Sequence, residues 1–308
     1  MSRLIVTGAS GFIGQHLLRE LSSLGVAVEG VVRAEVAVDL PLSRVWPSLS
    51  LIAADLEGVE TVVHLAGLAH GRVHHAQPGD LFKVNVDQTV NLFRQAVAAG
   101  VKKFIWLSSI KVLGDASNVP LGVGASYQPG DQYAKSKVAA ERQLLAEPKG
   151  GTQLCIVRPP LVYGPEVKAN FLSLLGVASS GWPLPLKLAC APRAWVSVRN
   201  LVDFLIAVMH ADSLSADSIW HVRDAEESSV SQMVQAIARH GGRSTLQWPL
   251  SPRIATLLGR CLGKQATVER LFSPLRIDMS ETTDRLGWVP PQSQQESIEE
   301  VVLWYLTR

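Results

Sequence analysis

The chain has 308 residues, of which 47% are hydrophobic and 18% charged, and its net charge is +2. This composition is that of an ordinary folded protein and excludes a disordered one, and the length suits one large domain or two joined ones. The basic residues are scattered, so the overall charge indicates neither a nucleic-acid-binding stripe nor a polybasic membrane patch. Small-molecule chemistry is therefore favoured.

The three cysteines, Cys155, Cys190 and Cys261, are few, odd in number and far apart. This spacing argues against a disulfide framework or a paired-cysteine zinc site and fits a reducing, cytoplasmic setting. The first residues, MSRLIVTGASGFIG, read as a strand and a glycine-rich turn instead of a signal peptide. No segment approaches about 18 uninterrupted apolar residues, so we expect no membrane insertion.

The first half of the chain alternates short apolar runs with stretches of helical periodicity. The strand candidates, in chain order, are RLIVTG, VAVEGVVR, LSLIAAD, TVVHLAG, KKFIWLSS and TQLCIVRP. The pattern predicts helices from Phe12, across 80–100 with Gly100 as the cap, and over about 131–147. This order is typical of an α/β protein with a doubly wound parallel sheet.

After about Pro159 the pattern becomes irregular and richer in proline, as in GWPLPL and WVPPQ. We therefore predict a sheet domain over 1–160 and a smaller mixed substrate-binding region over 161–308. Some segments of the second region are expected to return to the sheet.

A glycine-rich turn, TGASGFIG, follows the first strand and opens the first helix. Gly8 permits a tight turn, Gly11 lets the backbone approach a pyrophosphate, and Gly14 lets the helix pack on the strand. The helix N-terminus, which begins with Phe12 and Ile13, offers free N–H groups to phosphates. The turn therefore predicts a Rossmann-like dinucleotide site.

The end of the second strand, VVRAE, bears on the choice of cofactor. An acidic residue there bonds a ribose 2′-hydroxyl, whereas an arginine tolerates a 2′-phosphate. Arg33 occupies this place and favours NADP(H), although it could equally be a solvated surface residue. NAD(H) stays possible because Glu35 could still reach the ribose.

The stretch DQYAKSKVAAE places two lysines after Tyr133. Lys135 lies on the opposite face of a helix, whereas Lys137 lies one turn along the same face. At about 5 Å its charge is worth about 3 kcal/mol, or about two pKa units. We expect this to lower the pKa of the tyrosine from about 10 toward 8, a useful range for acid–base chemistry.

Ser108 and Ser109 end the strand FIWLSS, where the carboxyl ends of parallel strands line the ligand crevice. With the glycine turn, Ser109, Tyr133 and Lys137 in order, nearly all of the chain resembles the extended short-chain dehydrogenase/reductase family, and within it the nucleotide-sugar epimerases, dehydratases and reductases. The stretch RPPLVYGP strengthens the resemblance. The remaining positions that it places on the cofactor are Asp55 and Leu56 at the adenine, Leu65, Ala66, Gly67, Asn85, Ser108 and Pro159.

The resemblance implies a mechanism for the three matched residues. Tyr133 would exchange a proton with the sugar oxygen while the nicotinamide exchanges a hydride, Lys137 would lower the phenol's pKa and bond the nicotinamide ribose, and Ser109 would orient the sugar. It also implies a homodimer formed through the helices at 80–99 and 131–147.

The residues around these positions bear on the reaction. Ile110 and Lys111 stand where the family's dehydratases carry an acidic pair, so dehydration is not expected. Ala69 and RPPL replace the lysine and the RYFN-like stretch of well-known 4-epimerases. The pattern looks most like reductases of UDP-4-keto-6-deoxy-N-acetylhexosamines used for surface polysaccharides. A 4-epimerase with bound NAD is the alternative, and a non-catalytic NAD(P)-sensing regulator is a third hypothesis.

Substrate contacts are also implied by the resemblance. The positions concerned are Ser109, Ile110, Lys111 and Tyr133 at the sugar, Asn170, Phe171 and Arg193 at the diphosphate, Arg270 as a second arginine, and Trp182 near the uracil. Arginine suits phosphates because its fixed donors engage two oxygens at once, and Trp182 could equally be core packing. We expect His64 to be a core histidine and AHGRVHH, with His70, His74 and His75, to be a loop without metal.

Overall fold

The computed structural model describes residues 3–32, 41–46, 48–68, 80–211 and 217–308. Its strands are β1 Arg3–Thr7, β2 Val28–Val31, β3 Arg44–Trp46, β4 Val59–His64, β5 Lys103–Leu107, β6 Ser117–Leu121, β7 Gln153–Arg158, β8 Leu161–Tyr163, β9 Trp195–Ser197, β10 Asp217–His221 and β11 Leu275–Ile277.

The helices alternate with these strands in the first half of the chain and dominate the second. They are α1 Phe12–Ser23, α2 Asp80–Phe82, α3 Thr89–Ala98, α4 Gln132–Ala146, α5 Ala169–Ala178, α6 Val198–His210, α7 Val230–His240, α8 Pro252–Cys261, α9 Gln265–Phe272, α10 Ser280–Leu286 and α11 Gln294–Leu306. A π-helical segment, Lys83–Gln88, joins α2 to α3. Within the described ranges, no helix is long and apolar enough to cross a membrane.

Seven strands form one parallel sheet in the order β10-β7-β5-β4-β1-β2-β3. The order reverses between β1 and β4, and a ligand crevice opens at such a reversal, outside the carboxyl ends of the strands. The predicted α/β class with a doubly wound parallel sheet is confirmed. The residues that follow β1, β4 and β5 therefore meet at one edge.

The sheet departs from the predicted strands at one of its edges. LSLIAAD forms no strand, because residues Ala53–Leu56 make a 3₁₀ turn in which the Asp55 carboxylate accepts the Ile52 amide at 2.9 Å. The edge strand next to β2 is instead β3. At the other edge β10, from the second half of the chain, pairs with β7. The division at residue 160 stays a prediction.

Apolar side chains cover both faces of the sheet. One core layer packs α1 and α6 on the sheet through residues such as Leu17, Leu205 and Trp220, and the other packs α3 and α4 through residues such as Phe93 and Leu144. A third core joins α5, α7 and α11. Two small parallel pairs, β6 with β11 and β8 with β9, connect this region to the main sheet's carboxyl edge.

Candidate active site

The glycines of the turn between β1 and α1 leave no room for a Cβ. Gly8 has a φ of +70°, and a Cβ there would lie 2.8 Å from the Ala66 nitrogen. A Cβ on Gly14 would collide with the Gly8 carbonyl oxygen, to which the Gly11 amide donates over 2.8 Å. The tight turn and the close helix–strand packing are confirmed.

Gly11 is the N-cap of α1 and provides no side-chain cap. The first amides of the helix therefore stand beside a turn of bare backbone, and this cradle fits a pyrophosphate. Phe12 and Ile13 begin the helix and pack against the core below it. Their contacts with a cofactor, like those of the glycines, stay predictions.

The segment 65–67, which leaves the end of β4, forms the facing wall. The amide of Leu65 donates to the Thr7 carbonyl at 3.1 Å. Behind the wall lies buried Asn85, whose Oδ1 accepts the Leu68 amide at 2.8 Å and whose Nδ2 donates to Ser136 Oγ at 3.0 Å. Asn85 thus holds this wall against α4, and a direct cofactor contact by its amide stays a prediction.

His64 is buried at the end of β4. Its Nδ1 lies 2.6 Å from Thr7 Oγ1 and its Nε2 lies 2.9 Å from Thr89 Oγ1. Burial, and after it the charge of Lys137, lowers the pKa of His64 to about 3, so the ring is neutral. The prediction of a core histidine is confirmed.

Ser109, Tyr133 and Lys137 converge at the carboxyl end of β5. Ser109 hydrogen-bonds to the Tyr133 phenol. The Lys137 Nζ lies 5.9 Å from the centre of the Tyr133 ring and donates to the Leu107 carbonyl at 2.8 Å. Lys135 is exposed on the other side of α4. The predicted choice of Lys137 as the neighbour of the tyrosine is therefore correct.

The protonation of this pair differs from the expected one. Burial raises the pKa of Tyr133 to about 12, against the hydrogen bond with Ser109, and Asp131 adds to the rise. The expected fall toward 8 is wrong for this structure, because the Lys137 ammonium turns to the Leu107 carbonyl and to the Trp106 ring, 4.6 Å away. Desolvation of the phenol therefore outweighs the charge of the lysine.

Burial also lowers the pKa of Lys137 to about 8, and the Glu141 carboxylate opposes that shift. At pH 7 the lysine is therefore mostly charged and the Tyr133 phenol is neutral. Such a pair is set to donate a proton, and it can accept one only when the pKa of the phenol falls.

Glu141, a buried carboxylate that the sequence analysis did not identify, lies beside Ser109, Tyr133 and Lys137. We call these last three residues the triad. Arg158 Nε donates to Glu141 Oε1 at 3.0 Å and Nη2 to its Oε2 at 2.6 Å. Ser108 Oγ donates to Oε1 at 2.5 Å and the Tyr127 hydroxyl to Oε2 at 2.8 Å. The Ser108 hydroxyl thus binds Glu141, and the contact of Ser108 with the cofactor stays a prediction. Glu141 could have been found by helical spacing, one turn after Lys137.

The two residues after Ser109, Ile110 and Lys111, make contacts with other parts of the chain. Ile110 is buried, and its amide donates to the Pro159 carbonyl at 2.9 Å. Lys111 pairs with Asp131, the N-cap of α4, and lies 3.5 Å from Asp115. Ile110 thus lies in the core and Lys111 is held by two carboxylates, and their sugar contacts stay predictions.

Two residues expected at the adenine have structural roles. Leu56 is fully buried in the core, and the Asp55 carboxylate caps the turn described above. The leucine side chain is not available to a ligand, and the aspartate contact stays a prediction.

Three positions expected at the nucleotide differ in exposure. Phe171 is 2% exposed and its side chain stacks on Tyr163 in the core, with ring centres 5.0 Å apart, so its diphosphate contact stays a prediction. Asn170, in the same turn of α5, is exposed. Trp182 is 74% exposed, so the alternative that it packs in the core is wrong.

The two candidate arginines bind backbone. Arg193 Nη1 donates to the carbonyls of Arg270 at 2.9 Å and Ser273 at 2.5 Å, and Arg270 Nε donates to Ala266 at 3.0 Å. Burial lowers the pKa of Arg193 to about 10, so its guanidinium is charged at neutral pH. Arg193 thereby holds the end of α9, and its contact with phosphate stays a prediction.

Several positions that the sequence analysis singled out lie outside the described residues. Among them are the two residues expected at the cofactor's ribose, so the structure does not test that contact. No group of three metal-ligating side chains occurs within the described ranges. The positions outside them are Arg33, Glu35, Ala69, His70, His74 and His75.

Comparison with known proteins connects this geometry to a family. A model described as "NAD dependent epimerase/dehydratase family" matches residues 4–222. A UDP-glucose 4-epimerase of Vibrio cholerae is 36% identical over 98% of this chain and 95% of its own length.

Solved structures agree in fold. MoeE5 in complex with UDP-glucose and NAD has a TM-score of 0.78 at 24% identity, and 99% of each chain is covered. A UDP-glucose 4-epimerase of Thermotoga maritima with UDP-glucose has the same TM-score at 20% identity, also with 99% of each chain covered. At these identities the likeness establishes the fold.

Replacing Gly14 with Ala should destabilise the protein by about 1–3 kcal/mol, because the new Cβ collides with the Gly8 carbonyl. Urea unfolding measures the loss, and Gly124→Ala, where a Cβ meets nothing within 4 Å, is the matched control. Equal stability of the two variants would contradict the packing described here.

Lys137 should make the fold more stable as the pH rises. Its pKa is about 8 in the fold and 10.5 ordinarily, so between these values the unfolded chain holds more protons. From pH 7 to 9.5 the free energy of unfolding should gain about 2 kcal/mol from this group. Urea unfolding at both pH values should show this gain in the wild type and in Lys135→Met but not in Lys137→Met. An identical pH dependence in all three would refute it.

Proposed function

Because the chain belongs to the NAD dependent epimerase/dehydratase family, we propose that it is an NAD-dependent 4-epimerase of a UDP-hexose or a UDP-N-acetylhexosamine. The observation that carries the proposal is the convergence of Ser109, Tyr133 and Lys137 beside the glycine turn. The relation to a UDP-glucose 4-epimerase over nearly the full length favours epimerisation above other reactions of the family.

The crevice fits a nicotinamide dinucleotide. The bare turn around Gly8 and Gly11 would hold the pyrophosphate, and Gly67 lies within reach of Lys137, whose Nζ is 3.7 Å from where a Cβ would stand. A side chain at that position would touch the lysine and would crowd Asn85 Oδ1, 3.2 Å from the same Cβ. When bound, the cofactor supplies hydride transfer at C4 of the sugar. The relative MoeE5 was solved with UDP-glucose and NAD, which supports the choice of both ligands.

The chain's own residues orient the sugar and move one proton. Ser109 and Tyr133 are bonded to each other and would bind the C4 oxygen together. To oxidise the C4 hydroxyl, the phenol must take up its proton, which requires the pKa of Tyr133 to fall from about 12 when the site is filled. The positive charge of Lys137 is close enough to favour that change. In the return step the phenol protonates the ketone oxygen.

A second candidate is a reductase of a UDP-4-keto-6-deoxy-N-acetylhexosamine, acting in the synthesis of surface polysaccharide sugars. Specific sequence features favour it: RPPL starting at Arg158, and Ala69 in place of the lysine of well-known epimerases. A preference for NADP(H) through Arg33 would suit a reductase, which must release oxidised cofactor at each turnover. NAD suits the epimerase, which retains it.

The proposal includes a cytoplasmic homodimer that pairs through α3 and α4. The two helices lie side by side, and Arg94 of α3 bonds Glu147 after α4 at 2.6 Å, so they present one continuous surface. This continuity supports the pairing without deciding its symmetry.

The purified protein should interconvert UDP-glucose with UDP-galactose, or UDP-GlcNAc with UDP-GalNAc, without added cofactor. It should also show ultraviolet absorption from retained nicotinamide. Chromatography of the sugar nucleotides measures the first and a spectrum the second. Stoichiometric consumption of NADPH or NADH with a UDP-4-keto-6-deoxy-N-acetylhexosamine, without interconversion, would establish the reductase instead.

Tyr133→Phe should lower kcat by about 10²–10⁴ or more while leaving the Kd for the nicotinamide cofactor within about twofold, because the variant loses a proton and not a binding surface. Steady-state assays and fluorescence titration measure the two quantities. Tyr305→Phe, in α11, is the matched control and should behave as wild type. Unchanged turnover in Tyr133→Phe would remove the tyrosine from the mechanism.

A further inference from the structure

Charge is divided unevenly along the chain. Two segments, 167–202 and 228–268, contain nine of the 29 Lys and Arg residues and none of the 27 Asp and Glu residues. The rest of the chain, with 20 basic and 27 acidic residues, has a net charge of −7. The small overall charge of +2 hides this division.

The two acid-free segments pack against each other. The Leu184 amide donates to the Leu246 carbonyl at 2.8 Å, and the Trp248 amide donates to the Leu184 carbonyl at 3.0 Å. Arg243 Nη1 donates to the Ser179 carbonyl at 2.8 Å. The two segments therefore lie side by side, and Arg243 of one reaches the backbone of the other.

Large apolar side chains project from the second segment into solvent. Ile254, Leu257, Leu258 and Leu262 of α8 and its cap are 52%, 61%, 52% and 74% exposed, at spacings of three and four residues that place them on one face. The opposite face, with Ala255 and Gly259, is buried, and Gly259 packs closely on Val268 of α9. Trp248, just before α8, is 43% exposed. We call Trp248, Ile254, Leu257, Leu258 and Leu262 the docking face.

Cations surround the docking face. Arg253, Arg260 and Lys264 are exposed, and none of the three pairs with a carboxylate in the part of the chain that the structure describes. Apolar side chains on one side of a helix, with unpaired Arg and Lys beside them, are typical of helices that lie in a membrane interface.

We propose that the docking face binds an anionic lipid bilayer surface. The leucines and Trp248 would enter the boundary between headgroups and acyl chains, where tryptophan is favoured, and the three cations would contact lipid phosphates. Binding is peripheral, because no described helix can span a bilayer. The proposal differs from the expectation of no membrane patch, which came from the charge of the whole chain. The inference does not depend on the proposed reaction.

Charge argues against a second copy as the occupant, and the exposed aliphatic side chains argue against a nucleic acid. A second copy seated on the same face would bring like charges together around the leucines. A nucleic acid would match the cations but leaves four exposed aliphatic side chains without a role, since phosphate contacts dominate such binding. An anionic bilayer satisfies both the charges and the apolar surface.

Co-sedimentation with vesicles tests the proposal. The full-length protein should pellet with vesicles of 70% phosphatidylcholine and 30% phosphatidylglycerol, bind pure phosphatidylcholine at least tenfold more weakly, and lose affinity as NaCl rises from about 0.1 to 0.5 M. The double variants Leu258→Glu/Leu262→Glu and Arg260→Glu/Lys264→Glu should each bind at least tenfold more weakly. Leu24→Glu, at a 56% exposed leucine on the Rossmann side, is the matched control and should bind as wild type.

Thermal melting of each variant checks that it is folded. Vesicle binding that is absent, or that is equal in all variants, would overturn the proposal. So would a wild-type dimer that the Leu258→Glu/Leu262→Glu variant converts to monomer without any vesicle binding, because the face would then belong to a second copy. Binding of duplex DNA in place of vesicles would likewise assign the cations to nucleic acid.

Discussion

The site depends on the hydrogen bonds of the buried Glu141 carboxylate, because they join the two elements that carry Ser109, Tyr133 and Lys137 and fix both to the end of β7. Glu141 belongs to the helix of Tyr133 and Lys137, receives the Ser108 hydroxyl next to Ser109, and is bound by Arg158 at the end of β7. A buried ion pair is favourable only when every oxygen and N–H is satisfied, and here both oxygens accept two donors. The carboxylate also keeps Lys137 charged against desolvation. Glu141 therefore both holds the elements of the site together and favours the charged form of Lys137.

The molecule separates two kinds of surface. Residues after β1, β4 and β5 form a crevice of bare backbone and a few buried polar groups, suited to a dinucleotide and a sugar oxygen. The second half of the chain provides the exposed cations and leucines of the docking face, together with the arginines that hold its backbone. An enzyme of small, diffusible substrates has no need of the second surface. The proposed lipid binding would add a location to the chemistry of the crevice.

Local features were predictable from the sequence because they depend on near neighbours. The glycine turn, α1, α4 and the selection of Lys137 follow from short-range spacing and from the conformational freedom of Gly8. Predictions failed where distant residues decide: LSLIAAD is capped into a turn, Phe171 is buried by Tyr163, and the pKa of Tyr133 is set by desolvation. Helical spacing places Glu141 on the same face of α4 as Lys137, but its pairing with Arg158, 17 residues away, is not visible in the sequence.

The main sheet is complete only when β10, which comes late in the chain, pairs with β7. The main sheet is parallel throughout, and its last strand, Asp217–His221, pairs with β7, which ends at Arg158. During synthesis, the side of β7 that faces away from β5 therefore stays unpaired until residue 221 has left the ribosome. An unpaired strand edge can pair wrongly with another chain. A gene cut near residue 160 would encode a fragment with that edge permanently open. The chain before residue 160 therefore cannot complete the sheet by itself, and aggregation is a hazard for a form truncated there.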